Sequence, residues 1–396
     1  MQVVRLLHKL SGECLGEVHG RRMSALWAGV DALLRGQRLW LTALGRHVGG
    51  PSEKHGIKRM DRLLGNRHLW VERRGFYRWI GRLAVRGCRT PVVLVDWCEL
   101  EGRGGLKLLR AAVAVGGRAL PIYEELHAVA GDTEVHRRFL ARLGEVLGPR
   151  CVPILVTDAG FRAWWFELVD ERGWFYVGRA RNREYLRWTS GGRWFPNKRL
   201  HGRASARPKS LAKLWLCRSR PLTTRFYLYR GKAKGRIRVN LSGKRSRRTD
   251  SKRKAARGRE PWLLVSNLPS AYATAKRVVR IYRTRMQIEE SFRDLKAPRC
   301  GFAMREHLGR NLERTANLLL IAALGMLATW LMGLHGYAHG LHRSLQANTE
   351  QKRRVLSTFF VGRRLLSQAL AVTDRDLRRA LALLRADICA QLPDEV

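Results

Sequence analysis

Two short apolar runs, each ending on an aspartate, constrain this chain more than any other feature. VVLV at 92–95 is followed by Asp96, and VPILVT at 152–157 is followed by Asp158. Aliphatic stretches without polar alternation fit central strands covered on both faces. Around them the pattern predicts a hairpin at 108–124 turning on Gly116-Gly117, helices at 135–147 and 161–170, and a third strand at 174–177. Strand, hairpin, helix, strand, helix, strand is the layout of an α/β fold with a mixed sheet. Both aspartates should then stand at the C-terminal ends of buried strands, where open α/β sheets bind ligands. A plainer reading exists for each, because an aspartate after a strand is often a helix cap, and Asp158 can cap a helix starting near Phe161.

The flanking segments differ in texture. The first 80 or so residues read as helices at 25–34, 40–48 and 53–64, the last two separated by Gly-Gly-Pro-Ser at 49–52. Lys54, Lys58, Arg59 and Arg62 lie on the third. This is either a helix-turn-helix or a helical cap with a solvated basic face. Between 178 and 260 only Glu184 and Asp250 are acidic, while Arg and Lys recur among Trp188, Trp194 and Trp215. That segment reads as an inserted module, β in its part 214–241 and loop in the basic run 244–259. Cations interleaved with aromatics suit a DNA surface, where backbone charge and base stacking both contribute. A last strand at 262–265 precedes helices. The apolar run at 318–334 falls short of the about 20 residues that span a bilayer, so it is expected to be a core helix, with no membrane partner.

The chain carries 77 Lys plus Arg against 32 Asp plus Glu, a formal charge of +45. Solubility needs a net charge of only about 2–8, so the field points to a polyanionic partner, nucleic acid first. The seven cysteines are scattered and include no C-x-x-C pair, which indicates neither a disulfide framework nor a structural zinc and fits a reducing cytoplasm. Residues 1–30 hold charges and lack an unbroken apolar stretch, so no secretory signal is expected there.

A third carboxylate joins the two aspartates from a helix expected at 274–296, within IYRTRMQIEESFRDLK. At about 100° per residue, Tyr282, Arg285, Glu289 and Lys296 share one face, with Ile281, Ile288, Phe292 and Leu295 beside them turned inward. Alone this is compatible with a helix holding an Arg285–Glu289 pair at i,i+4. With Asp96 and Asp158, it makes three carboxylates of the kind that hard divalent ions require.

VLVDW around Asp96, VTDAGF around Asp158, and the pattern Y-x2-R-x3-E-x6-K at Tyr282, Arg285, Glu289 and Lys296 resemble the DDE transposases of the insertion-sequence-four family. LTALGRHVGG, KHGIKRMDRLLGNRHLW, RMQIEESFRDLK and QANTEQKRRVLST resemble more narrowly the branch carried by bacterial tetracycline-resistance composite transposons. The resemblance runs from about residue 41 to 356. It implies an α/β fold with a ribonuclease-H-like mixed sheet interrupted by a β-rich insert, with helical regions at either end. In those terms 1–85 would bind DNA ends, 86–178 and 261–300 would form the catalytic core, 179–260 the basic insert, and 301–396 a helical region for dimerisation and synapsis. It further implies cut-and-paste transposition through a nick, a hairpin, hairpin opening and strand transfer. Asp96, Asp158 and Glu289 would hold two Mg2+ ions, with Mn2+ able to substitute. Tyr282, Arg285 and Lys296 would hold phosphates, and Trp262 would stack on a flipped base unless it is a buried strand tryptophan. Lys58, Arg59 and Arg62 would help bind the terminal inverted repeats. The partners are those repeats, target DNA and a second copy in a paired-end complex, at the nucleoid. The arginine-rich insert departs from the pattern. Two rivals remain from the residues alone: a ribonuclease-H-like nuclease that cuts without joining, and a non-catalytic DNA-binding protein.

Overall fold

The computed structural model describes residues 1–392 apart from 101–104, 182, 232–247, 250–259, 310 and 369. The chain divides into two units, Met1–Pro153 with Thr284–Glu395, and Ile154–Arg283.

In the first unit, helices α1 (Gln2–Cys14), α2 (Gly20–Gly36), α3 (Leu41–His47), α4 (Glu53–Leu64) and α5 (Arg67–Val85) precede strands β1 (Val92–Glu99), β2 (Lys107–Ala114) and β3 (Ala119–His127), followed by α6 (Thr133–Leu147). The three strands pair antiparallel in the order β3-β2-β1. The β2–β3 hairpin turns on Gly116 and Gly117, at φ 77° and 92°, the left-handed backbone such a two-residue turn requires. β1 is longer than its apolar run predicts, so Asp96 does not close the strand. It lies inside it, opposite Arg110 of β2. Pairing with β2 carries the strand on through Glu99, and periodicity alone cannot register that tertiary contact.

α3 and α4 cross at two glycines. A Cβ on Gly56 would meet the Gly45 carbonyl oxygen at 2.1 Å, so this corner tolerates no side chain there. Ser52 caps α4 through the His55 amide, and Met60, Leu63 and Leu64 are buried beneath it. α4 is tied by Asn317, which donates to the Leu64 carbonyl at 2.9 Å, and by an Asp61–Arg314 ion pair. Both partners belong to the core helix, Leu312–Ala338, which is long and apolar enough to cross a membrane but is buried inside the chain from Thr315 to Gly336. Asn311 caps its start. Near its end Gly333 lets the helix Thr358–Ser367 approach so closely that a Cβ would stand 2.0 Å from the Thr358 carbonyl oxygen. The last helix, Asp374–Cys389, begins with a capping box from Thr373 and Asp376.

In the second unit β4 (Ile154–Thr157), α7 (Ala163–Asp170) and β5 (Phe175–Arg179) are followed by β6 (Tyr185–Trp188), β7 (Gly191–Pro196), β8 (Lys209–Leu216), β9 (Leu222–Tyr229) and β10 (Trp262–Ser266). The strand order is β4-β5-β10-β9-β8-β6-β7. β4 and β5 are parallel and the remaining pairs antiparallel. Strands β6–β9 therefore continue the sheet edge to edge, because β10 pairs with β5 on one side and β9 on the other. The stretch 230–241 read as strand falls largely outside the described residues, as does the basic run 244–259 apart from Arg248 and Thr249.

The single helix expected at 274–296 is two, Ala275–Arg283 and Met286–Lys296. The break at Thr284-Arg285 coincides with the boundary between units. Each half buries its own apolar residues: Val278, Val279, Ile281 and Tyr282 in one, Ile288, Phe292 and Leu295 in the other. A face projected at a constant angle per residue does not continue across the break.

Candidate active site

In the first unit, Asp96 and Glu289 share a cation. Arg285 places Nη2 2.7 Å from Glu289 Oε1 and Nη1 3.7 Å from Asp96 Oδ2. The side chains of Asp96 and Arg285 are each 15% exposed and that of Glu289 is 42% exposed, so the group opens to solvent on the Glu289 side. The Arg285–Glu289 pair expected at i,i+4 is present, and it is also half of a bridge between two carboxylates. Asp96 Oδ1 accepts the Trp97 amide at 2.8 Å, which orients the carboxylate. At the far end of the same helix, Lys296 donates to the Glu99 carbonyl at 3.2 Å, bringing a second cation to the strand of Asp96.

Beneath this group is a polar framework that the residue pattern did not single out. Arg110, on β2, pairs with Glu124 of β3 at 2.6 Å, both 1% exposed. Tyr77 of α5 donates to Glu124 at 3.0 Å. Arg110 Nη1 donates to Ser291 Oγ at 3.0 Å, and its guanidinium lies 4.7 Å from the Phe292 ring centre. Arg118, just past the hairpin turn, holds Glu290 at 2.8 Å and Asp294 at 2.9 Å. Three residues of the helix that carries Glu289 are thus fixed to the hairpin beside Asp96. Because Arg110 is directly across from both Asp96 and Glu124 in register, one arginine positions the two carboxylate-bearing elements against each other. The available signal was a lone arginine in the apolar strand KLLRAAVA facing a strand with two glutamates. Buried charges of that kind are rare unless paired.

Trp97 is held in turn. Its indole N–H donates to His136 Nε2 at 3.0 Å, and burial pushes the His136 pKa down to about 4. The imidazole is neutral at ordinary pH and able to accept that bond.

The second unit carries the other candidates. Asp158 follows β4 directly, as expected, and its Oδ1 accepts the Gly160 amide at 2.7 Å. It does not cap α7, whose N-cap is Arg162 with no side-chain cap bond. The capping reading of Asp158 is thereby removed. Trp262 opens β10 and is half-buried, its ring 4.9 Å from Tyr282 and 5.6 Å from Tyr229. Arg283 lies over the Tyr229 ring and donates to its hydroxyl at 2.6 Å. Tyr282 is only 4% exposed and backs Trp262. Among β6–β8, Arg187 lies over both Trp194 and Trp215.

On α4, Lys58 and Arg62 are exposed one turn apart and Arg59 is half-buried, while the opposite face is packed into the unit.

The residues of the first unit fit a divalent cation. Two carboxylates from different elements converge on one positive charge, here a guanidinium, and carboxylate oxygens are the donors that hard ions prefer.

The family model described as the transposase DDE domain matches residues 88–326, more than half of the chain and a span holding Asp96, Asp158 and Glu289. No curated protein matches the chain.

Proposed function

We propose, from the premise that the chain belongs to the transposase DDE domain family, that it is a cut-and-paste DNA transposase whose catalytic carboxylates are Asp96, Asp158 and Glu289. Membership makes it an enzyme that acts on DNA, in a family that generally uses divalent metal ions. The observation that carries the residue assignment is the convergence of Asp96 and Glu289 on Arg285. We read the core as ribonuclease-H-like and the chain as insertion-sequence-four in type.

Asp96, Asp158 and Glu289 would hold two Mg2+ ions. When bound, such ions activate a water or a 3′-hydroxyl and stabilise the leaving oxygen in phosphodiester chemistry. The chain's own residues do the rest. Trp97 and its neutral acceptor His136 fix the orientation of the Asp96 carboxylate. Arg110 and Arg118 hold the Glu289 helix in register. Arg285 and Lys296 supply cations for phosphate oxygens, with Arg285 exchanging its carboxylate partners for phosphate as DNA enters. The ends recognised would be terminal inverted repeats, with a second copy of the chain and the helical region 301–396 contributing to a paired-end complex.

Trp262 separates a hairpin-forming transposase from a nuclease that only cuts. Turning a 3′-hydroxyl onto the opposite strand requires distorted DNA, and extruding a base costs a few kcal/mol. Stacking on an aromatic face contributes about 1–3 kcal/mol, and Trp262 is half-exposed with tyrosines behind it. Trp262→Ala should leave the first nick nearly intact and slow hairpin formation about tenfold or more. Denaturing gels of end-labelled DNA measure both steps, and parental hairpin rates in the variant would make Trp262 a packing residue.

Removing the first 70 residues is no clean test of end recognition, because α4 is part of the packed unit. Replacing Lys58 and Arg62 with alanine spares the buried face. If each neutralises one phosphate, the salt dependence of end binding should become shallower by about 2 in log–log slope. An unchanged slope, measured by fluorescence anisotropy across salt concentrations, would place end contacts elsewhere.

A further inference from the structure

We propose that His335, His339 and Asp376 form a binding site for a borderline transition-metal ion, Zn2+ by its donor set, which pins the last helix to the core helix. His335 sits in the final turn of the core helix and His339 one turn on, at its C-cap. Asp376 is in the first turn of the helix Asp374–Cys389. One ligand atom from each lies within 4.8 Å of the other two. His339 Nε2 is already 3.5 Å from Asp376 Oδ1, and the two imidazole rings stand 4.5 Å apart.

The second, independent observation is His335 itself. Its side chain is 7% exposed, and its buried Nδ1 has no hydrogen-bond partner among the described residues. An orphaned buried donor or acceptor costs about 1–3 kcal/mol, and core histidines are ordinarily satisfied. Asp376 accepts hydrogen bonds from the Thr373 amide and hydroxyl. Those bonds go to Oδ2, and Oδ1 is the oxygen beside His339.

Two imidazoles and a carboxylate are a common zinc donor set and a poor one for Mg2+ or Ca2+. Zinc bonds of about 2.0–2.2 Å put tetrahedral ligand atoms about 3.3–3.6 Å apart. His339 with Asp376 already meets that spacing. The remaining closure of about 1.5 Å at most is within the reach of side-chain rotation at His339, which is 41% exposed. A water completes four-coordination.

The test uses the full chain carrying Asp96→Asn, so that the proposed catalytic carboxylates are impaired as a competing site. After stripping with a chelator, titration with Zn2+ should show one ion per chain at micromolar or tighter affinity in the presence of excess Mg2+. Co2+ in its place should give the visible absorption of a tetrahedral ion. At a hundredfold excess over Kd, Zn2+ should raise the unfolding midpoint by about 5 °C. His339→Gln should remove the binding, the Co2+ spectrum and the midpoint shift together, and His335→Gln should do the same if it folds. A midpoint that ignores Zn2+, or a shift equally large in His339→Gln, overturns the proposal.

Discussion

Alanine at Asp96, Asp158 or Glu289 is expected to lower strand cleavage about a thousandfold or more while binding of transposon ends stays within a few-fold of the parent. Loss of a metal-ligating carboxylate forfeits several kcal/mol of transition-state charge stabilisation, and each 1.36 kcal/mol is about tenfold in rate. End affinity comes instead from the cationic excess of the chain, which none of these changes reduces. The three variants should behave alike, although Asp96 and Glu289 belong to one unit and Asp158 to the other. Single-turnover nicking of an end-labelled duplex with Mg2+, set beside anisotropy on the same duplex, checks both halves. Near-parental cleavage by any one variant removes that residue from the assignment.

The second large effect is on stability. Glu124→Leu leaves Arg110 charged and buried without its partner, a change that costs about 3–5 kcal/mol in comparable pairs. For a unit of this size that lowers the unfolding midpoint by roughly 10 °C. The double change Arg110→Met with Glu124→Leu should recover much of the loss, because apolar replacement of a whole buried pair is often neutral. Its cleavage should nevertheless remain below the parent's, since the bond from Arg110 to Ser291 on the Glu289 helix is gone. A single-variant loss under about 1 kcal/mol in urea titration, the scale of a surface pair, would show that the framework does not depend on this charge.

Much of this was legible in the residues. The apolar runs before Asp96 and Asp158 are strands, Gly116-Gly117 is a turn, and α4 has the bounds that its basic pattern predicts, because local periodicity and turn chemistry dictate each. Long-range contacts were the limit. The extension of β1 past Asp96 is set by its partner strand. The break at Thr284-Arg285 is set by where the chain passes from one unit to the other. Arg110, Glu124 and Arg118 read as isolated charges until the hairpin brings them to Ser291, Glu290 and Asp294, more than a hundred and fifty positions along the chain. Residue chemistry singled out Asp96 and Glu289 as candidates, while pairing across that distance supplied what holds them.

The burial of Leu312–Ala338 has a consequence for how the molecule is made. Its neighbours α2, α4 and α5 emerge from the ribosome first, yet the helix packed against them is translated only after the ten strands of the described residues. A nascent chain therefore exposes Leu33, Met60, Leu63 and Leu64 for the whole synthesis of the second unit, a delay during which unpaired apolar surface is prone to association. The face of α4 that carries Lys58 and Arg62 thus acquires its supporting core only with the C-terminal third of the chain.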